Sequence, residues 1–306
     1  MSILKKTMIV LTEGGKKSGF GHITRCVSIC NEFNKKGFKI NFIVYGDHSI
    51  KNTLNNFKFS VTNCIGDFYK DELAIKNSLV VLIDSIKISK VDILKILSLN
   101  NNVIHIDDEK QYNIVNNGFI LDWTINRFKK STVSHASKNV TYLTGSKYIP
   151  LRKEFYNSPK YVVNNTVKKV LLTFGGSDVR NITPKILGFL VDNYTNIEKK
   201  VIIGSSCKNI ENIKKISDKN TSIVIGASAE SMARSMYDSD VAIASGGQTL
   251  YELAKIGVPT IAIILVDNAV DDTIGWESVG FLKNIGWFDD KNLLKNLSNE
   301  FFLLQD

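Results

Sequence analysis

The chain alternates short apolar runs with stretches of helical period. Residues 8–11, 39–44, 79–83 and 102–106 read as strands, and 23–36 and 91–99 as helices between some of them. Residues 117–123 and 140–143 extend the series. Runs that are apolar at nearly every position mark strands buried on both faces, and their alternation with helices predicts a parallel sheet. Residues 147–167 then break the pattern with Pro150, Pro159, several polar side chains and no clean period. We read 149–167 as a linker. Beyond it the alternation restarts. Strands are expected at 168–174, 199–203, 221–225, 241–244 and 259–264, and helices at 181–192, 228–237, 248–256 and 271–279. A closing helix over 291–306 is expected to pack back toward the first half. The pattern predicts an α/β chain of two Rossmann-like, doubly wound domains, 1–148 and 168–290, facing each other across a cleft, with no internal sequence repeat. In such sheets ligands sit outside the carboxyl ends of the strands. The loops that follow the strands are therefore where chemistry is expected.

Composition narrows the partners. With 43% hydrophobic and 23% charged residues in 306, the chain is an ordinary globular one. It has no run of about 18 apolar residues, so no stable membrane insertion is expected. The start, MSILKKTMIVLTEGG, lacks a full apolar core and a small-residue cleavage site, and a cytoplasmic location is expected. The net charge of +9 suits an anionic small ligand or a membrane surface. The lysines are scattered, without an arginine-rich run or basic–aromatic interleaving, so nucleic acid is not an expected partner. Cys26, Cys30, Cys64 and Cys207 lack zinc spacing, and Cys26 and Cys30 join Ile23, Val27 and Phe33 in one apolar stripe. No metal is expected, and the sequence sets no oligomeric state.

The stretch SGFGHITRC, 18–26, lies between the first strand and the first helix. Gly19 and Gly21 allow close backbone approach and φ > 0. His22 falls at or near the helix N-terminus, where the dipole favours anions and disfavours imidazolium. A neutral imidazole there can take a proton from water or a hydroxyl. The structural alternative is a glycine turn with a capping histidine. Thr24 occupies the third glycine position of a dinucleotide fingerprint, and there is no P-loop and no nucleophile elbow. No cofactor is expected.

Two further glycine-rich loops precede helices in the second half. Gly175-Gly176-Ser177-Asp178 follows a buried strand, and Ser245-Gly246-Gly247-Gln248-Thr249 opens a helix carrying Glu252. Backbone N–H groups and hydroxyls in this geometry suit a diphosphate, and Glu252 could accept from ribose hydroxyls. Simple capped turns are the alternative. Asp84 and the pair Asp107-Asp108 end strands, where a carboxylate can bind sugar hydroxyls, orient a histidine or cap a helix.

Together these residues resemble the UDP-sugar hydrolases of pseudaminic acid biosynthesis and the related spore coat polysaccharide proteins. Those belong to a wider group with the glycosyltransferase B fold, which includes the UDP-GlcNAc transferase of peptidoglycan synthesis. The first loop resembles the family's G-x-G-H-x-x-R-C, Ile106-Asp107-Asp108-Glu109 its aspartate-rich strand end, and GSKYIPLRKEFY (145–156) its domain junction. FGGSD (174–178) and SGGQTLYE (245–252) resemble its nucleotide loops, and Val266-Asp267-Asn268 a late loop whose Asn faces the sugar. The resemblance implies UDP bound by Gly175, Gly176, Ser177, Ser245, Gly246, Gly247, Gln248 and Thr249, with the ribose near Glu252 and uracil near Ile225. It implies a sugar subsite of Gly19, Gly21, Arg25, Asp84, Asp107, Asn126 and Asn268. His22 would be the general base that activates water at the anomeric carbon, with inversion and departure of UDP. Leu11 and Glu13 stand where members carry Arg and Asp, Ser85-Ile86 where they carry His-Tyr, and in DWTINR (122–127) Asn126 serves as the family's asparagine. All three departures fall where the sugar should sit. The expected function is a UDP-sugar hydrolase that releases a free 2,4-diacetamido-type deoxy sugar for nonulosonic acid synthesis. The alternatives are an inverting UDP-sugar glycosyltransferase and a non-catalytic nucleotide-sugar binding protein.

Overall fold

A computed structural model describes residues 6–16, 18–108, 117–125, 139–204 and 207–304. Its contacts divide the chain into two compact units, Met1–Pro150 and Leu151–Asp306. The first unit contains strands β1 (Thr7–Gly14), β2 (Lys39–Gly46), β3 (Lys58–Thr62), β4 (Val80–Asp84), β5 (Val103–Ile106), β6 (Gly118–Asp122) and β7 (Val140–Thr144). Its helices are α1 (Gly21–Lys35), α2 (Glu72–Asn77) and α3 (Lys90–Leu99). The strands form one parallel seven-stranded sheet in the order β3-β2-β1-β4-β5-β6-β7. Alternate residues of β1 feed opposite faces. Ile9 and Leu11 join Val81, Ile83, Ile93 and Ile96 in one core cluster, while α1 packs on β1 and β2 and buries Ile23, Cys26 and Cys30. Burial on both faces explains the nearly continuous apolar runs.

The second unit contains β8 (Lys169–Thr173), β9 (Glu198–Ile203), β10 (Thr221–Ile225), β11 (Val241–Ser245), β12 (Thr260–Ile264) and β13 (Leu282–Trp287). Six helices accompany them: α4 (Thr183–Asn193), α5 (Ile210–Ile216), α6 (Ala229–Tyr237), α7 (Gln248–Ile256), α8 (Val270–Ser278) and α9 (Leu293–Leu303). The sheet order is β10-β9-β8-β11-β12-β13. Both sheets therefore reverse direction beside their own first strand, between β1 and β4 and between β8 and β11. That reversal opens a crevice at the carboxyl ends of the two central strands.

The closing helix α9 is anchored in the second unit. Leu293, Leu297 and Phe301 are fully buried in the core of the second unit, beside Leu190, Val201 and Ile285. The segment read as a linker is largely anchored to the second unit. Leu151 and Phe155 are buried, Tyr161 Oη donates to the Ser239 carbonyl at 2.7 Å, and Asn164 donates to Asp240 at 2.6 Å.

Candidate active site

The first site builds from the end of β1. Gly15 and Gly19 exchange backbone hydrogen bonds of 2.9 and 2.8 Å, which pin the loop between β1 and α1. The Lys16 amide donates to Asp47 Oδ2 at 2.9 Å. The pinned loop sets His22 as the second residue of α1 and Arg25 one turn on. In the adjacent strand Asp84 ends β4, paired in register with Thr12. His22 Nδ1 lies 2.8 Å from Asp84 Oδ1. An ionised carboxylate only accepts, so Nδ1 carries the proton and Nε2 is left as the basic nitrogen.

Arg25 locks this pair. Its Nη2 and Nε donate to Asp84 Oδ1 and Oδ2 at 2.6 and 2.7 Å. Nη1 donates to Asp108 Oδ2 at 2.5 Å, and the guanidinium lies 5.0 Å from the centre of the Trp123 ring. Bidentate carboxylate forks fix orientation as well as charge. Arg25 Nη2 is also 3.0 Å from His22 Nδ1. The positive charge of the guanidinium at that distance opposes protonation of the ring. On its other side His22 Nε2 lies 3.8 Å from Glu13 Oε1, and Glu13 Oε2 accepts from Ser85 Oγ at 2.9 Å. Glu13 and Asp84 are each 1% exposed.

The electrostatics correct one expectation. The helix N-terminus was expected to hold His22 neutral. Burial does oppose the imidazolium, as does Arg25, but the charge and hydrogen bond of Asp84, with Glu13 behind them, outweigh both and raise the His22 pKa. Burial alone would also raise the Asp84 carboxyl, yet Arg25 and His22 hold it well below the usual carboxylate range. His105, buried on β5, is pushed down to about 4 by burial.

The second site lies at the other crevice. Gly175, Gly176 and Ser177 follow β8 and are exposed. The next residue, Asp178, turns inward and accepts from the Ile182 and Thr183 amides at 2.9 and 3.0 Å, holding the start of α4. After β11, Gly247 adopts φ 105°, open to glycine and strained for other residues. Gly246 packs so closely that a Cβ would sit 2.4 Å from Ala269 Cβ. This contact sets the turn Asp267–Ala269, with exposed Asn268, against the loop from Ser245 to Thr249. Ile225 ends β10 with its side chain 47% exposed.

Glu252, one turn into α7, is buried. Both its oxygens accept from Arg152, Oε1 from Nε and Oε2 from Nη2, each at 2.8 Å. Burial raises the Glu252 carboxyl, and Arg152 only partly offsets it. As a ribose acceptor Glu252 would use the remaining lone pairs of those oxygens.

The first unit thus brings together His22, Arg25 and Asp84, with Gly19 in the adjoining loop and Gly21 opening α1. Asn126 lies outside the described residues. Of the pair Asp107-Asp108, the carboxylate that holds Arg25 is that of Asp108. Sequence reasoning named Asp108 only as one of a pair of strand-end carboxylates and gave no site role to Glu13, Ser85, Trp123 or Arg152. The first three of these were reachable from one signal, since each stands at or just beyond the carboxyl end of β1, β4 or β6. Arg152 lay in the presumed linker and carried no such signal. Among the described residues no cluster of three or more His, Cys, Asp or Glu side chains could hold a metal ion, and no helix is long and apolar enough to cross a membrane.

The structure resembles MurG of Acinetobacter baumannii with a TM-score of 0.66 at 13% identity, covering 98% of this chain and 92% of that one. It resembles the spinosyn rhamnosyltransferase SpnG, complexed with thymidine diphosphate, with a TM-score of 0.62 at 10% identity, covering 97% and 91%. The chain has a glycosyltransferase B fold. No family model matches it. In sequence it is 28% identical over 267 residues to the uncharacterized protein MJ1062 of Methanocaldococcus jannaschii, covering 83% of this chain and 54% of that protein. It is 26% identical over 296 residues to the pseudaminic acid cytidylyltransferase and UDP-2,4-diacetamido-2,4,6-trideoxy-beta-L-altropyranose hydrolase of Helicobacter pylori, covering 94% and 48%. The chain spans about half the length of these curated relatives.

Proposed function

We propose that this chain processes a nucleotide sugar, and specifically that it is a UDP-sugar hydrolase. The reading rests above all on the imidazole of His22, oriented by a buried Asp84 that Arg25 and Asp108 fix in turn. Such a dyad makes Nε2 a general base for water. Water attacks the anomeric carbon, its proton passes to Nε2, the bond to UDP breaks and the configuration inverts. Loops 175–177 and 245–249 would hold the diphosphate with backbone N–H groups, which can stabilise the leaving group as charge develops. Glu252 would hold the ribose, Ile225 would lie by the uracil, and Asn268 would face the sugar. The likeness to the Helicobacter pylori hydrolase supports a 2,4-diacetamido-type deoxy sugar as substrate. The fold likeness to a rhamnosyltransferase favours a second reading, in which an acceptor hydroxyl replaces water.

UDP release from a panel of UDP-2-acetamido and UDP-2,4-diacetamido sugars, with water as the sole acceptor, tests the proposal. The proposal predicts release with equimolar free sugar, lost in His22→Ala while UDP affinity stays within a few-fold. Full activity in His22→Ala would remove the base assignment. Tight UDP binding without release would turn the assignment to transfer or to binding alone.

A further inference from the structure

Two side chains beside the base, Glu13 at the end of β1 and Ser85 just beyond β4, are bonded to each other. Ser85 Oγ donates to Glu13 Oε2 at 2.9 Å, and this fixes Oε1 toward the ring, 3.8 Å from Nε2. That distance is too long for a direct hydrogen bond. It fits one molecule bound to both atoms at ordinary lengths of about 2.8 Å. In the base form of His22, Nδ1 donates to Asp84 and Nε2 is an acceptor. Glu13 Oε1 is an acceptor as well. A molecule between two acceptors must supply two donors. Water has two O–H groups, whereas an alcohol or sugar hydroxyl has one. An acceptor hydroxyl would leave the buried Oε1 unpaired and press an alkyl group against it, and sites built to hydrogen-bond discriminate strongly on that basis.

We propose that Glu13 and His22 together hold the attacking water, and that Glu13 selects water over hydroxyl acceptors. The inference rests on the reading of the chain as a UDP-sugar enzyme with His22 as base. In the step, the water oxygen bonds to the anomeric carbon and the bond to UDP breaks, its electron pair leaving on the diphosphate. One water proton goes to His22 Nε2. The other stays on the new sugar hydroxyl, held by Glu13 Oε1.

The test compares the full chain with Glu13→Ala in water containing added methanol, using the UDP-diacetamido sugar that gives the fastest release. Total UDP and the ratio of methyl glycoside to free sugar are measured. The wild type should yield free sugar almost alone. Glu13→Ala should release UDP about tenfold more slowly, bind UDP within about twofold, and raise the methyl glycoside share about tenfold. Glu13→Gln, which keeps the side-chain volume, should shift the ratio in the same direction by less and serves if Glu13→Ala does not fold. A ratio equal to wild type in a folded variant that still releases UDP overturns the role of Glu13 and leaves the base assignment standing. A wild type that favours methanol overturns it too. No release from any donor overturns the underlying reading with it.

Discussion

Two carboxylates flank the His22 ring, and their effect has a sign that can be followed in pH. Asp84 and Glu13 raise the His22 pKa above its ordinary 6.5 against the opposing effect of burial. A general base must be neutral, so kcat/KM should fall on the acid side with a midpoint above pH 6.5, read from a pH–rate profile. Stability runs the other way. Folding favours the imidazolium, so its stabilisation is fully present below about pH 6.5 and is lost as pH rises through the higher folded value. Asp84 adds a second dependence: its depressed pKa stabilises the fold at neutral pH, and that contribution is lost as pH falls through and below the carboxylate range. Asp84→Asn should move the acid midpoint of activity down. It should also lower kcat/KM by about a hundredfold or more, because the amide NH2 that replaces one oxygen must face a donor, either His22 Nδ1 or Arg25, and the tautomer is no longer firmly set. An unmoved midpoint would show that Asp84 does not govern the base.

At the scale of elements, the loop before α7 is closely constrained. Gly246→Ala would bring a methyl to 2.4 Å from Ala269 Cβ and 3.1 Å from its backbone oxygen, so the turn holding Asn268 must shift. UDP affinity, measured by calorimetry, should fall by about tenfold or more, with thermal stability lowered by about 1–3 kcal/mol. An unchanged affinity would separate this loop from nucleotide binding. The central elements were legible in the sequence. Strand β10 and helix α7 were expected at their observed bounds: α7 writes an amphipathic period, and β10, although an edge strand, is a short run rich in β-branched residues. The strands β3 and β13 and the helices α2 and α5 were not expected. Each of the two strands lies at an edge or mixes exposed polar residues with buried ones, and each of the two helices has seven residues or fewer. Of the candidate site, the first glycine loop and His22 were legible because local sequence builds them. Asp108 against Arg25, and Arg152 against Glu252, join residues 83 and 100 positions apart. Only the folded topology brings such pairs together.

At the scale of the molecule, the six strands of the second sheet share the order of the first six strands of the first without any sequence repeat. Each sheet places candidate residues at or beyond the carboxyl ends of its strands, His22 and Asp84 in one and loops 175–177 and 245–249 at the reversal point in the other. The second sheet is closed by α9, whose Phe301 is fully buried in that core. Phe301→Ala should cost about 3–5 kcal/mol in denaturant unfolding, whereas truncation of the exposed Phe302 beside it should cost little. Equal effects would contradict the packing of α9. The claim that joins all three scales is attack of water on the anomeric carbon, and hydrolysis in oxygen-18 water followed by NMR and mass spectrometry tests it most directly. The account predicts the label on C1 of the released sugar, none in UDP, and an initial anomer inverted relative to the donor. Label in the β-phosphate of UDP, or an initial anomer of retained configuration, would contradict it.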